Sequence, residues 1–207
     1  MAAIATTDFI HVFEPGADDK RAPLLLLHGT GGDERDLLGL GRMVSPGASL
    51  LSPRGKVLEG AMPRFFRRLA EGVFDEADLI SRTHELADFI EEARRTYNLA
   101  APVALGFSNG ANIAASLLML RPEVLGGAAL LRAMSPFAKP PATAALAGKR
   151  VMIVSGALDP IIPASDAERL ARDLAARGAE VDHRILPTGH GLSQGDVGLL
   201  RSWIDQA

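Results

Sequence analysis

The sequence predicts an α/β fold in which a doubly wound, mostly parallel sheet of about seven strands is covered by helices on both faces. Short apolar runs alternate with longer helical patterns along the 207 residues, as consecutive β–α–β units require. Several runs, such as Pro23–Leu27 and Val103–Phe107, are apolar throughout rather than at alternate positions, which is typical of strands buried on both faces. The length fits one globular domain, residues 1–207.

Seven runs are predicted strands, and four longer patterns are predicted helices. The strands are Phe9–Phe13, Pro23–Leu27, Ser49–Ser52, Val103–Phe107, Ala128–Leu131, Val151–Val154 and Val181–Leu186. The helices are Leu79–Tyr97, Asn112–Leu120, Ser165–Arg177 and Ser193–Ile204. The segment from 52 to 78 has mixed signals, and we expect it to form a partial cover over the sheet. Within it, the Arg-Phe-Phe-Arg-Arg run at residues 64–68 is predicted as a solvated amphipathic helix.

Terminal signals support the helix assignments. In Leu79–Tyr97 the apolar residues recur at spacings of three and four, which places them on one helical face. Ser165 with Glu168, and Ser193 with Asp196, have the spacing of a capping box, in which paired side chains satisfy the first turn. Each of the last two helices is therefore predicted to begin at its serine.

Composition excludes several classes of function. A formal net charge of -3 without a basic stripe argues against a nucleic-acid partner. No apolar run is long enough to span a bilayer, and residues 1–9 do not read as a signal peptide. We therefore expect a cytoplasmic protein with no membrane partner. The absence of cysteine rules out disulfides and a thiolate nucleophile, and without ligand spacing among His, Asp and Glu we expect no metal and no cofactor.

The strongest candidate for chemistry is Ser108. Residues 106–110 read Gly-Phe-Ser-Asn-Gly and match G-x-S-x-G, a pattern that a glycine-bounded turn with a serine N-cap also fits. Here the motif follows a predicted buried strand and precedes a predicted buried helix, which is the context that a nucleophile elbow requires. We therefore predict that Ser108 is a nucleophile held above the carboxyl end of the sheet, at a helix N-terminus.

His190 is the predicted general base. In proteins with such an elbow the acid and then the histidine follow the serine in the chain, and only His183 and His190 follow Ser108. His183 lies within a predicted strand, where a structural role is expected. His190 lies in a glycine-flanked loop between that strand and the last helix. An exposed loop histidine is the alternative, but a loop at this edge is where a base should lie.

Asp159 is the predicted acid. It comes just after the strand Val151–Val154, in a loop that continues with proline. The alternative is an ordinary Asp-Pro turn. The competing carboxylates are placed less well, because Asp166 and Asp173 fall on a helix that faces away and Asp182 lies within a strand.

Two backbone N–H groups are predicted to form an oxyanion hole. One belongs to Asn109, the residue after the nucleophile, and the other to Thr30, in the His-Gly-Thr-Gly-Gly loop at residues 28–32. His28 is expected to hold this loop by hydrogen bonds. A phosphate-binding role is disfavoured, because the loop is not followed by Lys-Ser/Thr and does not match G-x-G-x-x-G.

A partly apolar substrate pocket is predicted at the same edge, with a cationic group that suits an acidic substrate. Each residue considered alone would serve as well for packing. The predicted lining is Arg54, Met62, Phe65, Met134, Phe137, Leu158 and Ile161.

With these residues placed, the chain resembles the α/β-hydrolase superfamily, and within it the small bacterial carboxylesterases of the phospholipase/carboxylesterase family, which are related to dienelactone hydrolases. The resemblance runs from the strand before residue 28 to the helix after residue 190 and implies the α/β-hydrolase fold. Residues 28–34 and 54–76 resemble a subgroup that acts on aromatic or hydroquinone-derived compounds. The chain departs from many esterases by having Asn109 after the nucleophile. It also lacks the His-Gly-Gly-Gly of many lipases, which argues against a long-chain lipase.

The predicted function is a serine carboxylic-ester hydrolase that acts on small soluble esters, aromatic ones included, through a Ser-His-Asp triad and an acyl-enzyme. The same triad would serve a lactone or thioester hydrolase or a perhydrolase, and a non-catalytic binding protein could use the same scaffold. The predicted partner is a small-molecule ester. A homodimer is compatible with the sequence, but no apolar stripe identifies an interface.

Overall fold

A computed structural model describes residues 9–141 and 145–206 of the chain. In chain order its strands are β1 (His11–Glu14), β2 (Leu24–Leu27), β3 (Leu50–Pro53), β4 (Val57–Glu59), β5 (Met62–Arg64), β6 (Arg68–Ala70), β7 (Val73–Phe74), β8 (Val103–Phe107), β9 (Gly127–Leu131), β10 (Arg150–Gly156) and β11 (Glu180–Leu186). Its helices are α1 (Leu38–Val44), α2 (Glu76–Tyr97), α3 (Asn109–Leu120), α4 (Ala164–Ala175) and α5 (Gln194–Ile204), with a 3₁₀ turn at Pro122–Val124. The part of the N-terminal prediction that concerns residues 1–8 lies outside the described residues.

Seven strands form the central sheet in the order β1-β3-β2-β8-β9-β10-β11. Strand β1 runs antiparallel to β3, and the other neighbours in the sheet are parallel. The carboxyl ends of β2, β8, β10 and β11 therefore meet at one edge, where the loops that follow them lie together. This is the mostly parallel, doubly wound sheet that the sequence predicts, and all seven predicted strands are present within it.

Both faces of the sheet are covered, which explains why central strands such as β2 are apolar throughout. In β2, Leu25 and Leu27 belong to the core formed with α2, α3 and α4. Leu24 and Leu26 point the other way and pack in a second core with α1 and α5. All four leucines are fully buried, and each such burial stabilises the fold by about 1.5–3 kcal/mol.

The capping prediction is confirmed for α5 and wrong for α4. Ser193 and Asp196 form a capping box at the start of α5. Helix α4 instead begins at Ala164 after Pro163, so Ser165 lies inside the first turn and no side chain caps the helix. Pro163 has an extended backbone, with φ -60° and ψ 139°, and its ring fixes this φ value. The helix therefore begins directly after Pro163, one residue earlier than the pattern predicts.

The segment from 52 to 78 forms two short hairpins, β4–β5 and β6–β7. The amphipathic helix predicted at residues 64–68 is wrong. Phe65 and Phe66 are both buried in the core, and the Phe66 ring meets the Phe74 ring edge-on at 5.0 Å. Because the two aromatic neighbours are both buried, the run crosses from one hairpin to the other instead of exposing one helical face to water.

The β4–β5 hairpin covers the carboxyl edge of the sheet, as expected of this segment. The N–H of Gly31, in the loop after β2, donates to the carbonyl of Pro63 at 3.0 Å. The N–H of Phe65 donates to the side-chain oxygen of Asn109 at 2.8 Å. The sequence analysis did not predict helix α1. This helix packs in the second core, on the same face of the sheet as α5.

Candidate active site

Three loops at the carboxyl edge of the sheet bring Ser108, His190 and Asp159 together. Ser108 lies between β8 and α3, Asp159 follows β10, and His190 follows β11. The Ser108 hydroxyl oxygen lies 3.0 Å from Nε2 of His190. Nδ1 of the same ring lies 2.8 Å from Oδ2 of Asp159. The structure therefore joins the three predicted side chains in one chain of hydrogen bonds, although 31 and 82 positions separate the partners in the sequence.

Ser108 lies on a strained turn that only the glycines beside it permit. Its backbone has φ 52° and ψ -113°, a conformation that L residues rarely adopt. A Cβ atom at position 110 would lie 2.0 Å from the Leu27 carbonyl oxygen, and one at position 106 would lie 2.6 Å from the Gly110 carbonyl oxygen. The strand, turn and helix can thus pack closely only with Gly106 and Gly110, and the turn presents the Ser108 side chain at the sheet edge.

The Asp159 carboxylate is held from two sides. Its side chain is 1% exposed, and its Oδ1 accepts from the N–H groups of Ile161 at 2.8 Å and Ile162 at 3.1 Å. Oδ2 is thereby left for His190. Burial acts to raise the pKa of Asp159, but the two backbone N–H groups and the His190 ring outweigh it, so the pKa lies below the usual aspartate value. An ionised Asp159 requires the proton on Nδ1 of the ring, which leaves Nε2 free to accept a proton from Ser108.

The lowered pKa of Asp159 predicts a loss of stability in acid. A carboxylate whose folded pKa is depressed contributes stability above its unfolded pKa of about 3.9, and this contribution is lost as the pH falls through the folded value. From about pH 5 to about pH 3, we expect the unfolding free energy of the wild type to fall towards that of Asp159→Asn. Urea unfolding at a series of pH values measures this difference. A gap that stays constant over the whole range would contradict the assignment.

The predicted oxyanion donors, Thr30 and Asn109, line the same cleft as Ser108. Asn109 is the first residue of α3, and Thr30 lies in the loop after β2. The N–H of Thr30 has no hydrogen-bond partner among the described residues. His28 is buried and fixes this loop as predicted, because Nδ1 pairs with the Gly29 carbonyl at 2.7 Å and Nε2 accepts from the Gly55 N–H at 3.0 Å. The unpaired N–H groups of a helix N-terminus and of this loop suit a developing negative charge.

Ser108 opens into a small, partly open cleft of about 340 Å³, a volume that includes the solvent at its opening. The lining combines apolar side chains with two arginines from the hairpins. Its residues are Thr30, Arg64, Arg68, Glu71, Gly72, Phe74, Ser108, Asn109, Asn112, Met134, Ile161 and Ile162.

Of the seven predicted pocket residues, only Met134 and Ile161 line this cleft. The placement of Phe65 and Phe137 is wrong, because the core buries both rings. Arg54 is also misplaced, since Glu34 binds its guanidinium through two hydrogen bonds, the longer at 2.9 Å. The cationic groups at the cleft are Arg64 and Arg68 instead.

The remaining two predicted residues, Met62 and Leu158, are exposed and are not among the lining side chains. Leu158 is 72% exposed and Met62 is 44% exposed. The backbone N–H of Leu158 donates to the carbonyl of Thr188 at 2.9 Å, which fastens the Asp159 loop to the His190 loop. Met62 lies beside Gly31, with its side chain within 4 Å of where a Cβ would be.

A buried arginine that the sequence analysis missed holds the His190 loop. Arg132 follows β9, and its side chain is fully buried. It donates to the carbonyls of Gly189 and Gly191, on either side of His190, at 3.1 Å each. Asp196, in the first turn of α5, pairs with both terminal nitrogens at 2.8 and 3.0 Å. One buried ion pair thus joins the loop that carries the imidazole to the helix that follows it.

Three features together define an α/β-hydrolase. They are a sheet with this strand order, an elbow serine after β8, and a His–Asp pair from the loops after β10 and β11. No family model matches the chain. MhqD of Bacillus subtilis (strain 168), which is named as a hydrolase, is 48% identical over 199 residues, covering 95% of this chain and 98% of that protein. The Bacillus cereus carboxylesterase structure is 48% identical, with a TM-score of 0.93 and coverage of 96% of this chain and 94% of that one. The Mesorhizobium loti carboxylesterase is 35% identical, with a TM-score of 0.90 and coverage of 96% and 95%.

The chain therefore belongs to the small carboxylesterases of the α/β-hydrolase superfamily and is an esterase-type hydrolase. The family resemblance stated from the sequence is confirmed. Among the described residues, no helix is long and apolar enough to cross a bilayer, and no group of three or more His, Asp and Glu side chains is placed to hold a metal ion.

Proposed function

We propose that the protein hydrolyses small soluble esters through an acyl-enzyme on Ser108, with His190 as general base and Asp159 as the acid that orients the imidazole. The observation that carries this proposal is the pair of hydrogen bonds at 3.0 Å and 2.8 Å that joins the three side chains. Both distances lie within the reach that proton transfer requires.

Acylation begins as Ser108 Oγ attacks the ester carbonyl and His190 Nε2 takes the hydroxyl proton. Asp159 stabilises the resulting imidazolium. The oxygen of the tetrahedral intermediate then accepts hydrogen bonds from the N–H groups of Thr30 and Asn109. Loss of one such donor typically lowers the rate by about 10²–10³. The C–O bond to the alcohol breaks as His190 returns the proton to the leaving oxygen.

Deacylation repeats the same steps with water. His190 removes a proton from the water as it attacks the acyl carbonyl, and Ser108 recovers that proton when the carboxylic acid leaves. The small cleft beside Ser108 favours a short acyl group over a long chain. Exposed apolar side chains on the β4–β5 hairpin and the neighbouring loops, Met62, Leu158 and Leu192 among them, suit an alcohol part that is itself apolar or aromatic.

A fluorophosphonate probe tests the nucleophile directly. We expect intact-mass spectrometry of the wild-type protein to show one covalent adduct, because an activated serine attacks the phosphorus as it would attack a carbonyl. Ser108→Ala should show none. Ser116→Ala is the matched control, since Ser116 is a buried serine of α3 bonded to Thr83, and its adduct should form as in the wild type. An unlabelled wild type, or labelled Ser108→Ala, would overturn the proposal.

A further inference from the structure

The cleft beside Ser108 contains a buried arginine with an unused donor. Arg64 is only 3% exposed, yet it lines the cleft. Its Nε donates to the Phe66 carbonyl at 3.2 Å, and its Nη1 donates to the Thr30 hydroxyl at 2.7 Å. Nη1 also lies 3.2 Å from a Glu59 carboxylate oxygen. Nη2 has no partner among the residues that the structure describes, so the guanidinium retains one donor face for a ligand.

The positive charge around Arg64 is not fully balanced inside the protein. Arg68 also lines the cleft and shares the same carboxylate, since its Nη2 lies 2.6 Å from Glu59. Two guanidinium groups therefore share one partly exposed carboxylate. Glu71 is the other carboxylate at the cleft, but it is exposed, so water and salt screen its charge. A desolvated guanidinium with a shared partner favours an anion.

The neighbouring amide also lacks an acceptor. Asn109 is buried and lines the same cleft. Its Oδ1 accepts from the Phe65 N–H at 2.8 Å, but its buried Nδ2 has no hydrogen-bond partner. A buried donor without a partner is costly. The wall formed by Arg64 and Asn109 thus has two unused donors, and a ligand that supplies acceptor oxygens would complement it.

The cleft lies on the acyl side of the reaction. His190 must reach the leaving alcohol to protonate it, yet His190 is not among the residues that line this cleft. Thr30 and Asn109, the donors to the carbonyl oxygen, are among them. The part of the ester that enters the cleft is therefore the acyl group and not the alcohol.

We infer that the enzyme selects esters whose short acyl group ends in a carboxylate, which Arg64 binds; the natural substrates are then monoesters of short dicarboxylic acids. This inference rests on the ester hydrolysis proposed above. Arg64 contacts the substrate and determines its class, whereas Ser108, His190 and Asp159 perform the bond cleavage.

Monoethyl succinate and ethyl isocaproate form a matched pair of test substrates, because an isopropyl group replaces the carboxylate in the second. We expect the wild type to favour the anionic ester by at least about tenfold in kcat/KM, the value typical of a hydrogen bond to a charged group. Arg64→Gln should lose most of this preference, measured as the ratio of the two kcat/KM values within the variant, so that any general loss of rate cancels. Titration in a pH-stat measures both esters without a chromophore.

Arg67→Gln is the control variant, because Arg67 lies three positions away, is exposed and pairs with Asp75. It should keep the wild-type preference. Arg64→Lys, which keeps the charge but loses the planar fork, should retain part of it; this variant and the wild-type ratio decide the matter even if Arg64→Gln does not fold. Equal rates for the two esters in a wild type that the fluorophosphonate labels would overturn this inference alone. Failure to hydrolyse either ester, together with no labelling, would overturn the proposed function itself.

Discussion

Ser108→Ala should lower kcat for ester hydrolysis by about 10⁶, the loss seen when the nucleophile of a serine hydrolase is removed. The variant cannot form the acyl-enzyme. Its residual catalysis comes only from water that His190 activates and from the oxyanion donors. KM should change little, because Ser108 contributes almost nothing to ground-state binding. Steady-state rates on a small ester, corrected for traces of host esterase, measure the effect.

The three side chains should also behave as one unit. We expect His190→Ala to lower kcat about as much as Ser108→Ala, and the double variant to be no slower than either single variant. The unfolding free energy of Ser108→Ala should stay within about 0.5 kcal/mol of the wild type, since alanine occupies the same strained backbone. If Ser108→Ala retains turnover near that of the wild type, the nucleophile is misassigned.

Arg132→Met should destabilise the fold by about 3–5 kcal/mol and lower kcat by about 10². The stability falls because the Asp196 carboxylate is left buried without its partner. The rate falls because the carbonyls of Gly189 and Gly191 lose the donors that hold His190 in place. Urea unfolding and steady-state kinetics on the same samples measure both effects.

Two further variants separate charge from position. Arg132→Met with Asp196→Asn removes both buried charges, so part of the lost stability should return while kcat stays low. Arg121→Met is the surface control, because Arg121 is likewise an ion-paired arginine, with three carboxylate partners, but its side chain is 22% exposed. It should cost no more than about 1 kcal/mol and leave kcat unchanged. Full activity in Arg132→Met would show that the loop needs no support from the arginine.

The sheet and the Ser-His-Asp arrangement could be predicted because each depends on local rules. Buried strands are apolar throughout, and the elbow brings a glycine to each side of Ser108. Asp159 and His190 follow from chain order together with the rule that loops after parallel strands meet at one edge. These signals need no knowledge of which distant side chains touch.

The wall of the cleft could not be predicted, because it depends on contacts between distant positions. Strands β4 to β7 have only two or three residues each, too few to show a period. Arg64 and Thr30 are 34 positions apart, and Arg132 reads in the sequence as a polar residue that ends an apolar strand. The aromatic residues predicted for the pocket, Phe65 and Phe137, are buried in the core instead, since burial of a ring stabilises the fold more than lining an open cleft.

The strained backbone at position 108 favours catalysis at the expense of the stability of the fold. A serine with φ 52° and ψ -113° costs about 1–3 kcal/mol that a residue without a side chain would largely avoid. Glycine at this position would give a more stable protein that lacks the proposed nucleophile. Selection for thermal stability alone would therefore favour inactive variants at this position. Any directed evolution of stability should also screen for turnover at every round.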